Sequence, residues 1–183
     1  LRKPLVIHEQ NAVAGTTNRM LAPLATKILA GFPGAFAESV NVEVPGNPVR
    51  RELVSAGAAA TYDYDGSRPL RLLVLGGSLG ARPINEVLPG VVRALAGDSA
   101  TAIEVWHQSG DAHLEEVRAD YGSLLAHTVR VAPFIEDMDK AYAWADLVVC
   151  RSGALTVAEL SIMGRPAILV PLPGAIDDHQ SAN

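Results

Sequence analysis

Leu70-Arg71-Leu72-Leu73-Val74-Leu75-Gly76-Gly77-Ser78-Leu79-Gly80-Ala81 decides the fold. Six residues with almost no polar interruption suit a strand buried on both faces, and the glycines that follow suit a tight turn into a helix, expected from about Pro83 to Leu95. The same succession recurs downstream. Ile103–His107 leads through Gln108-Ser109-Gly110 to a helix ending near Tyr121. Val129–Val131 leads through Pro133-Phe134-Ile135-Glu136-Asp137 to a helix reaching Trp144. Leu147–Cys150 leads through Arg151-Ser152-Gly153 to a helix over Ala154–Met163, and Ala167–Pro171 forms a fifth strand. Strands alternating with helices of about ten residues imply an α/β fold with a doubly wound parallel sheet, whose turns line the carboxyl edge where ligands bind.

Upstream, Leu5–Ile7, a helix near Thr16 to Leu24, and strands at Lys27–Ala30 and Val42–Val44 read as the tail of another α/β unit. Ala56–Arg68, rich in Ala, Gly and Asp, reads as a surface connection. The expected division is therefore residues 1–48 from one Rossmann-like domain, 49–68 as the joint, and 69–183 as a second. The chain opens without an initiator methionine and stops where a helix is starting, so it is read as an internal fragment of a longer protein.

Composition narrows the function. Over 183 residues, 49% are hydrophobic and 19% charged, the pattern of an ordinary globular protein. The net charge of −5 offers no basic field for phosphate backbones, so no nucleic-acid partner is expected. No apolar run approaches the roughly 18–20 residues that span a bilayer. The one cysteine, Cys150, excludes an internal disulfide and suits a small buried group at a strand end. His8, His107, His113, His127 and His179 have no metal-ligand spacing. Asp63-Tyr64-Asp65 and Asp137-Met138-Asp139 are read as structural acids, so no metal site is expected. Trp106, Tyr142 and Trp144 are expected in the core.

The Gly76–Ala81 turn can present backbone N–H groups to an anion. It fails the G-x-G-x-x-G pattern and lacks the Lys-Ser/Thr of a P-loop, and the second strand ends in His107-Gln108-Ser109 instead of a ribose-binding acid, which disfavours a nicotinamide cofactor. Arg151–Glu159 says more. Ser152, Thr156 and Glu159 fall at i, i+4 and i+7 on one helix face. Ser152 suits a cap, the N–H groups of Gly153, Ala154 and Leu155 suit a diphosphate, and Glu159 suits a ribose cis-diol. An ordinary capped helix with a solvated glutamate explains the same letters.

Taken in order, His8–Gly15, Gly46-Asn47-Pro48-Val49-Arg50, Gly76–Ala81, Cys150–Thr156 and Asp178-His179-Gln180 resemble the MurG family of GT-B glycosyltransferases over the whole chain. The resemblance implies two Rossmann-like domains and an inverting, metal-independent transfer of N-acetylglucosamine from UDP-GlcNAc to the C4 hydroxyl of MurNAc in lipid I, forming lipid II for peptidoglycan. It implies no cofactor. By the resemblance, Glu159 takes the ribose, and Ala154, Leu155 and Thr156, with Val157 and Ala158 beside them, form the helix start at the diphosphate. Ser78 lies near the phosphates, and the backbone of Ile135 reads the uracil edge, with Phe134 and Met138 alongside. Asn11 and Arg50 contact the donor, and Gln180 contacts the GlcNAc hydroxyls.

The family's acceptor loops would precede Leu1. The fragment is thus expected to hold a donor half-site without activity, the catalytic base stays unassigned, and a positioning or structural role is expected of His8, with participation in the base chemistry as the alternative. The resemblance also implies peripheral attachment to the cytoplasmic face of the inner membrane through the N-terminal region. Two other readings stay open. A GT-B enzyme with a different acceptor, or a UDP-GlcNAc 2-epimerase, would share the Glu159-type site, although the His-Glu-Gln-Asn and Gly-Asn-Pro-Val-Arg segments argue against both. A non-catalytic nucleotide-binding module would lack acceptor loops upstream.

Overall fold

A computed structural model describes residues 3–77, 80–97, 102–172 and 179–183. In chain order its elements are β1 (Val6–Glu9), α1 (Thr16–Leu21), β2 (Lys27–Ala30), α2 (Arg51–Ala59), β3 (Leu70–Leu75), α3 (Arg82–Ala96), β4 (Ile103–Gln108), α4 (Leu114–Tyr121), β5 (Val129–Ala132), α5 (Met138–Trp144), β6 (Leu147–Cys150), α6 (Ala154–Met163), β7 (Ala167–Leu169) and α7 (His179–Ala182). They form two compact units. One comprises Leu1–Arg50, Ser152–Glu159 and Pro171–Asn183, the other Arg51–Arg151 and Leu160–Val170.

In the larger unit the described strands run β5-β4-β3-β6-β7, every neighbouring pair parallel. The apolar run Leu70–Leu75 is its central strand, β3. Leu72, Leu73, Val74 and Leu75 are all buried, as a strand covered on both faces requires. Leu72 and Val74 join Ile84, Leu88 and Val92 of α3, Ile103 and Val105 of β4, and Val117 and Tyr121 of α4 in one cluster. The buried positions of α3 recur every four residues, the stripe by which a helix covers a sheet. Strand order reverses between β3 and β6. Their carboxyl ends therefore flank the crevice where open α/β sheets take ligands. At the opposite edge, Asp146, 2% exposed, accepts Arg68 Nη2 at 2.7 Å and the Arg71 N–H at 2.9 Å. Burial raises the pKa of that carboxyl, but these donors together bring it below the ordinary value.

The segment expected to be an irregular connection begins as a helix. Arg51–Ala59 is rich in alanine, which favours helix, and Leu53 anchors it at 1% exposure. Gly57 is needed there, because a Cβ would stand 2.5 Å from the Ile162 carbonyl oxygen.

In the smaller unit β1 and β2 pair in parallel, with α1 as their crossover. The helix expected through Leu24 is α-helical only to Leu21 and continues as a 3-10 turn over Ala22–Leu24, because Pro23 has no N–H to extend the α-helical ladder. The expected strand at Val42–Val44 reduces to one bridge between Leu29 and Glu43, since Pro45 follows and cannot donate. Among the described residues no helix is long and apolar enough to cross a membrane.

Candidate functional site

In the smaller unit three segments distant in sequence converge on the start of α6. The first is the His8–Gly15 loop, organised around Glu9, which is 4% exposed. Its Oε1 accepts the Asn11 backbone N–H at 2.8 Å and the Asn11 side-chain amide at 3.3 Å, and its Oε2 accepts the Gly15 N–H at 3.0 Å and the Asn18 side-chain amide at 2.9 Å. Burial pushes the carboxyl pKa up, but these hydrogen bonds outweigh it and hold the group ionised below the usual range. Asn11 is thereby fixed through both its backbone and its side chain.

Gly46–Arg50 is the second segment. His8 Nε2 lies 3.2 Å from the Gly46 carbonyl oxygen, so the imidazole donates to it and ties the first segment to the second. Asn47 Nδ2 donates to the Gln10 carbonyl at 2.9 Å and lies 3.5 Å from the Ala154 carbonyl. Gly31 packs directly against this amide, and a Cβ there would fall 2.3 Å from Asn47 Oδ1 and displace the Asn47 side chain.

The third segment closes the cluster. Asn183 Nδ2 donates to Asn11 Oδ1 at 3.3 Å and to the Ser152 carbonyl at 3.0 Å, and its Oδ1 accepts the Ala12 N–H at 2.9 Å. Ser152, 2% exposed and expected as a helix cap, sends its hydroxyl hydrogen to the Gln180 carbonyl at 2.6 Å. The Gln180 side chain accepts the Leu172 N–H through Oε1 at 2.9 Å.

Further along α6, Glu159 Oε1 meets Arg50 Nη2 at 3.4 Å, with side-chain exposures of 18% and 54%. The glutamate is thus not the solvated residue of an ordinary helix. Ala154 is buried, Leu155 exposed, and Thr156, Val157 and Ala158 lie between. Of the expected site residues, Asn11, Arg50, Ala154–Glu159 and Gln180 all belong to this unit. Ser78 lies outside the described residues, and Ile135 belongs to the larger unit.

At the carboxyl edge of the larger unit, the turn after β3 has positive φ at Gly77 (+75°) and Gly80 (+78°). Gly80 is pressed so closely on β4 that a Cβ would come 2.3 Å from the Ser109 carbonyl oxygen. Gln108, which the sequence reading passed over, fastens this turn. Its Nε2 donates to the Gly77 carbonyl and its Oε1 accepts the Ile135 N–H, both at 2.9 Å. Ile135 itself is 3% exposed, with Phe134 largely exposed beside it.

Beneath the turn, Asn85 Nδ2 donates to the Ser109 carbonyl at 2.9 Å, which leaves Asn85 Oδ1 to accept His107 Nε2–H at 3.0 Å; His107 Nδ1 then accepts the Tyr121 hydroxyl at 2.9 Å. Burial pushes the His107 pKa down to about 4, so the imidazole is neutral at physiological pH. The signal for Gln108, His107 and Asn85 was in the sequence. Two polar residues closing an apolar strand, and an asparagine on the apolar stripe of a helix, need partners when buried.

The remaining candidates have structural places. Cys150 is 1% exposed and its thiol is pushed up to about 12. Asp137 pairs with Lys140 at 2.7 Å at the opening of α5, and Asp63 and Asp65 bond Arg68 and Ser67. Tyr142 is in the core, whereas Trp106 and Trp144 are only half-buried, packed edge to face at 5.9 Å. Among the described residues no three His, Cys, Asp or Glu side chains are grouped to hold a metal.

Residues 71–183 match the family described as the glycosyltransferase family 28 C-terminal domain. The chain is 51% identical over 98% of its length to the UDP-N-acetylglucosamine–N-acetylmuramyl-(pentapeptide) pyrophosphoryl-undecaprenol N-acetylglucosamine transferase of Shewanella frigidimarina, and 54% identical over its full length to the enzyme of that name from Cellvibrio japonicus. It spans about half the length of these relatives, 48% and 50%. Among solved structures, MurG from Acinetobacter baumannii superposes with a TM-score of 0.79 at 41% identity, covering 98% of this chain and 49% of that one. Anabaena HepE, solved with UDP and glucose, shares the fold alone, at TM-score 0.53 and 16% identity. The chain belongs to glycosyltransferase family 28 and carries that family's C-terminal domain.

Proposed function

We propose that the protein carrying this chain transfers N-acetylglucosamine, with inversion, from UDP-GlcNAc to the C4 hydroxyl of MurNAc in undecaprenyl-pyrophosphoryl-MurNAc-pentapeptide (lipid I), forming lipid II. The observation that carries this reading is 51% identity along 98% of the chain to a transferase of that name. The convergence of Asn11, Arg50, Ser152 and Glu159 around α6 supports it.

In this reading residues 69–183 bind the donor, residues 1–48 belong to the acceptor-side domain, and 49–68 join them. Glu159 accepts the ribose hydroxyls. The N–H groups at the start of α6, from Ala154, Leu155 and Thr156, with Val157 and Ala158 behind them, meet the diphosphate, as helix N-termini do. Ser78 lies by the phosphates, Ile135 reads the uracil edge through its backbone, Asn11 contacts the donor, and Gln180 meets the GlcNAc hydroxyls. As the glycosidic bond breaks, negative charge grows on the departing UDP. The fixed helix dipole and the Arg50 guanidinium stabilise it without a metal. His8, bonded to Gly46, positions the loop that holds Asn11, and the base that deprotonates the acceptor is assigned to no residue here. The enzyme attaches peripherally at the cytoplasmic face of the inner membrane through its N-terminal region.

The test uses the full-length protein with labelled UDP-GlcNAc and lipid I, with chromatography of the lipid product. Lipid II forms, chelation of divalent metal leaves the rate unchanged, and Glu159→Ala lowers kcat/KM by roughly ten- to a hundredfold, the worth of hydrogen bonds to a charged group. No transfer to lipid I, or an unaffected Glu159→Ala variant, refutes the reading.

A further inference from the structure

We propose that His107 is a positioning residue for the donor's diphosphate, acting through the Asn85 amide on the contact where the turn after β3 enters α3. Asn85 grips that entry twice. Its backbone N–H donates to the Ala81 carbonyl at 2.9 Å, its side-chain amide donates to the Ser109 carbonyl, also at 2.9 Å, and Gly80 is seated on that same Ser109 carbonyl. One asparagine thus joins the end of the turn to the backbone on which the turn rests. The first grip belongs to the helix, whereas the second depends on which way the amide faces.

His107 decides that orientation. A carbonyl only accepts, so the amide offers Nδ2 to Ser109 and turns Oδ1 to the ring, 3.0 Å from His107 Nε2. Turned over, it would set Oδ1 against the Ser109 carbonyl. The imidazole prevents this while its proton sits on Nε2, and the Tyr121 hydroxyl keeps the proton there by donating to Nδ1 at 2.9 Å. None of Asn85, His107, Ser109 and Tyr121 is more than 4% exposed, so bulk solvent does not replace a lost partner. Apolar side chains of the same shape would fill this part of the core about as stably. What the polar chain adds is direction, and it ends on the backbone beneath Gly80. His107 itself reaches no ligand. The inference rests on the reading that places the donor's phosphates at this turn.

The test compares UDP with uridine as competitive inhibitors of the full-length enzyme, because only UDP carries the groups that the turn meets in that reading. Thermal unfolding checks the fold of each variant. Gly80→Ala displaces the turn directly, by driving a Cβ onto the Ser109 carbonyl. His107→Leu keeps the bulk and removes both bonds. His107→Gln again supplies a donor for Asn85 and an acceptor for Tyr121.

The wild type binds UDP more tightly than uridine. In Gly80→Ala and His107→Leu the ratio of uridine to UDP inhibition constants falls about tenfold, what one hydrogen bond to a charged group is worth. The KM for UDP-GlcNAc rises with it, the KM for lipid I holds, and His107→Gln recovers most of the ratio. A packing role alone would weaken both inhibitors equally and leave the ratio unmoved. A wild type that binds uridine as tightly as UDP, or a folded Gly80→Ala variant of unchanged ratio, overturns the placement of the phosphates at this turn, and this inference with it. A lowered ratio in Gly80→Ala with an unchanged one in folded His107→Leu overturns the inference alone. Should the leucine variant fail to fold, Tyr121→Phe decides. Without the hydroxyl the proton is no longer held on Nε2, and an unchanged ratio there overturns the inference.

Discussion

The two units hold their loops by opposite means. In the smaller, an ionised carboxylate, Glu9, gathers N–H groups from Asn11, Gly15 and Asn18. In the larger, neutral groups do the work: Gln108 joins two backbone segments, and the Asn85-His107-Tyr121 chain lies beneath the same turn. The difference follows from the surroundings. The Asn85-His107-Tyr121 chain lies beside the apolar cluster to which Tyr121 itself belongs, where an unpaired charge is costly, while the Glu9 loop draws on charge-assisted bonds.

The largest expected effect is at the charged centre. Glu9→Ala leaves two backbone N–H groups and two side-chain amides without their acceptor, and should lower the free energy of unfolding by about 4 kcal/mol. Urea titration at pH 7.5 measures this, and faster amide exchange at Asn11 and Gly15 locates it. A loss below about 1 kcal/mol would mean that the loop is held by something other than Glu9.

Acid distinguishes the centres next, and the neutral one yields first. An imidazole in the unfolded chain takes a proton near pH 6.5, whereas folded His107 resists until about pH 4. Below pH 6.5 the unfolded chain therefore binds the extra proton. Stability from the neutral imidazole is complete above that pH and is lost progressively as the pH falls toward 4, by roughly 2 kcal/mol at pH 5. Glu9 behaves otherwise. Its pKa is lowered on folding, so its contribution is intact at pH 5 and is lost only as the pH drops through the carboxylate range and below. Unfolding free energies at pH 7.5 and 5 should thus converge in His107→Gln but not in Glu9→Gln. An unchanged slope in His107→Gln would show that another group carries the acid sensitivity.

This contrast also marks what the sequence could disclose. Period and turn chemistry are local, so β3, the glycine turn and the bounds of α6 were legible, and Ala154–Met163 stands as read. The resemblance supplied most of the site names, and the i, i+4, i+7 spacing had already pointed to Glu159. Gln108 was missed because its partners lie 31 and 27 residues away, and Asn47 because its partner Ala154 lies 107 residues away. No local pattern encodes such pairings. Ala56–Ala59, the end of α2, was read as irregular for a different reason. The alanine and glycine of Ala56–Ala59 resemble a flexible connection in composition, and the one side chain that anchors the helix, Leu53, lies upstream of them.

The smallest effect on stability is expected at Arg50, and for that reason it tests function most cleanly. Its bond to Glu159 is single, 3.4 Å long, and made by a guanidinium more than half exposed. Such a pair contributes less than about 1 kcal/mol, so Arg50→Ala should unfold at nearly the wild-type urea concentration. If the guanidinium serves the departing diphosphate instead, the same change should lower kcat/KM for UDP-GlcNAc in the full-length enzyme about tenfold or more, and Arg50→Lys should restore only part of it, because a lysine keeps the charge and loses the planar fork. Glu9→Ala ought to show the reverse balance, a large loss of stability out of proportion to any loss of turnover measured where the protein is still folded. Arg50→Ala with normal kinetics would reduce the contact with Glu159 to surface electrostatics, and the charge on the leaving group would then fall to the α6 N–H groups alone.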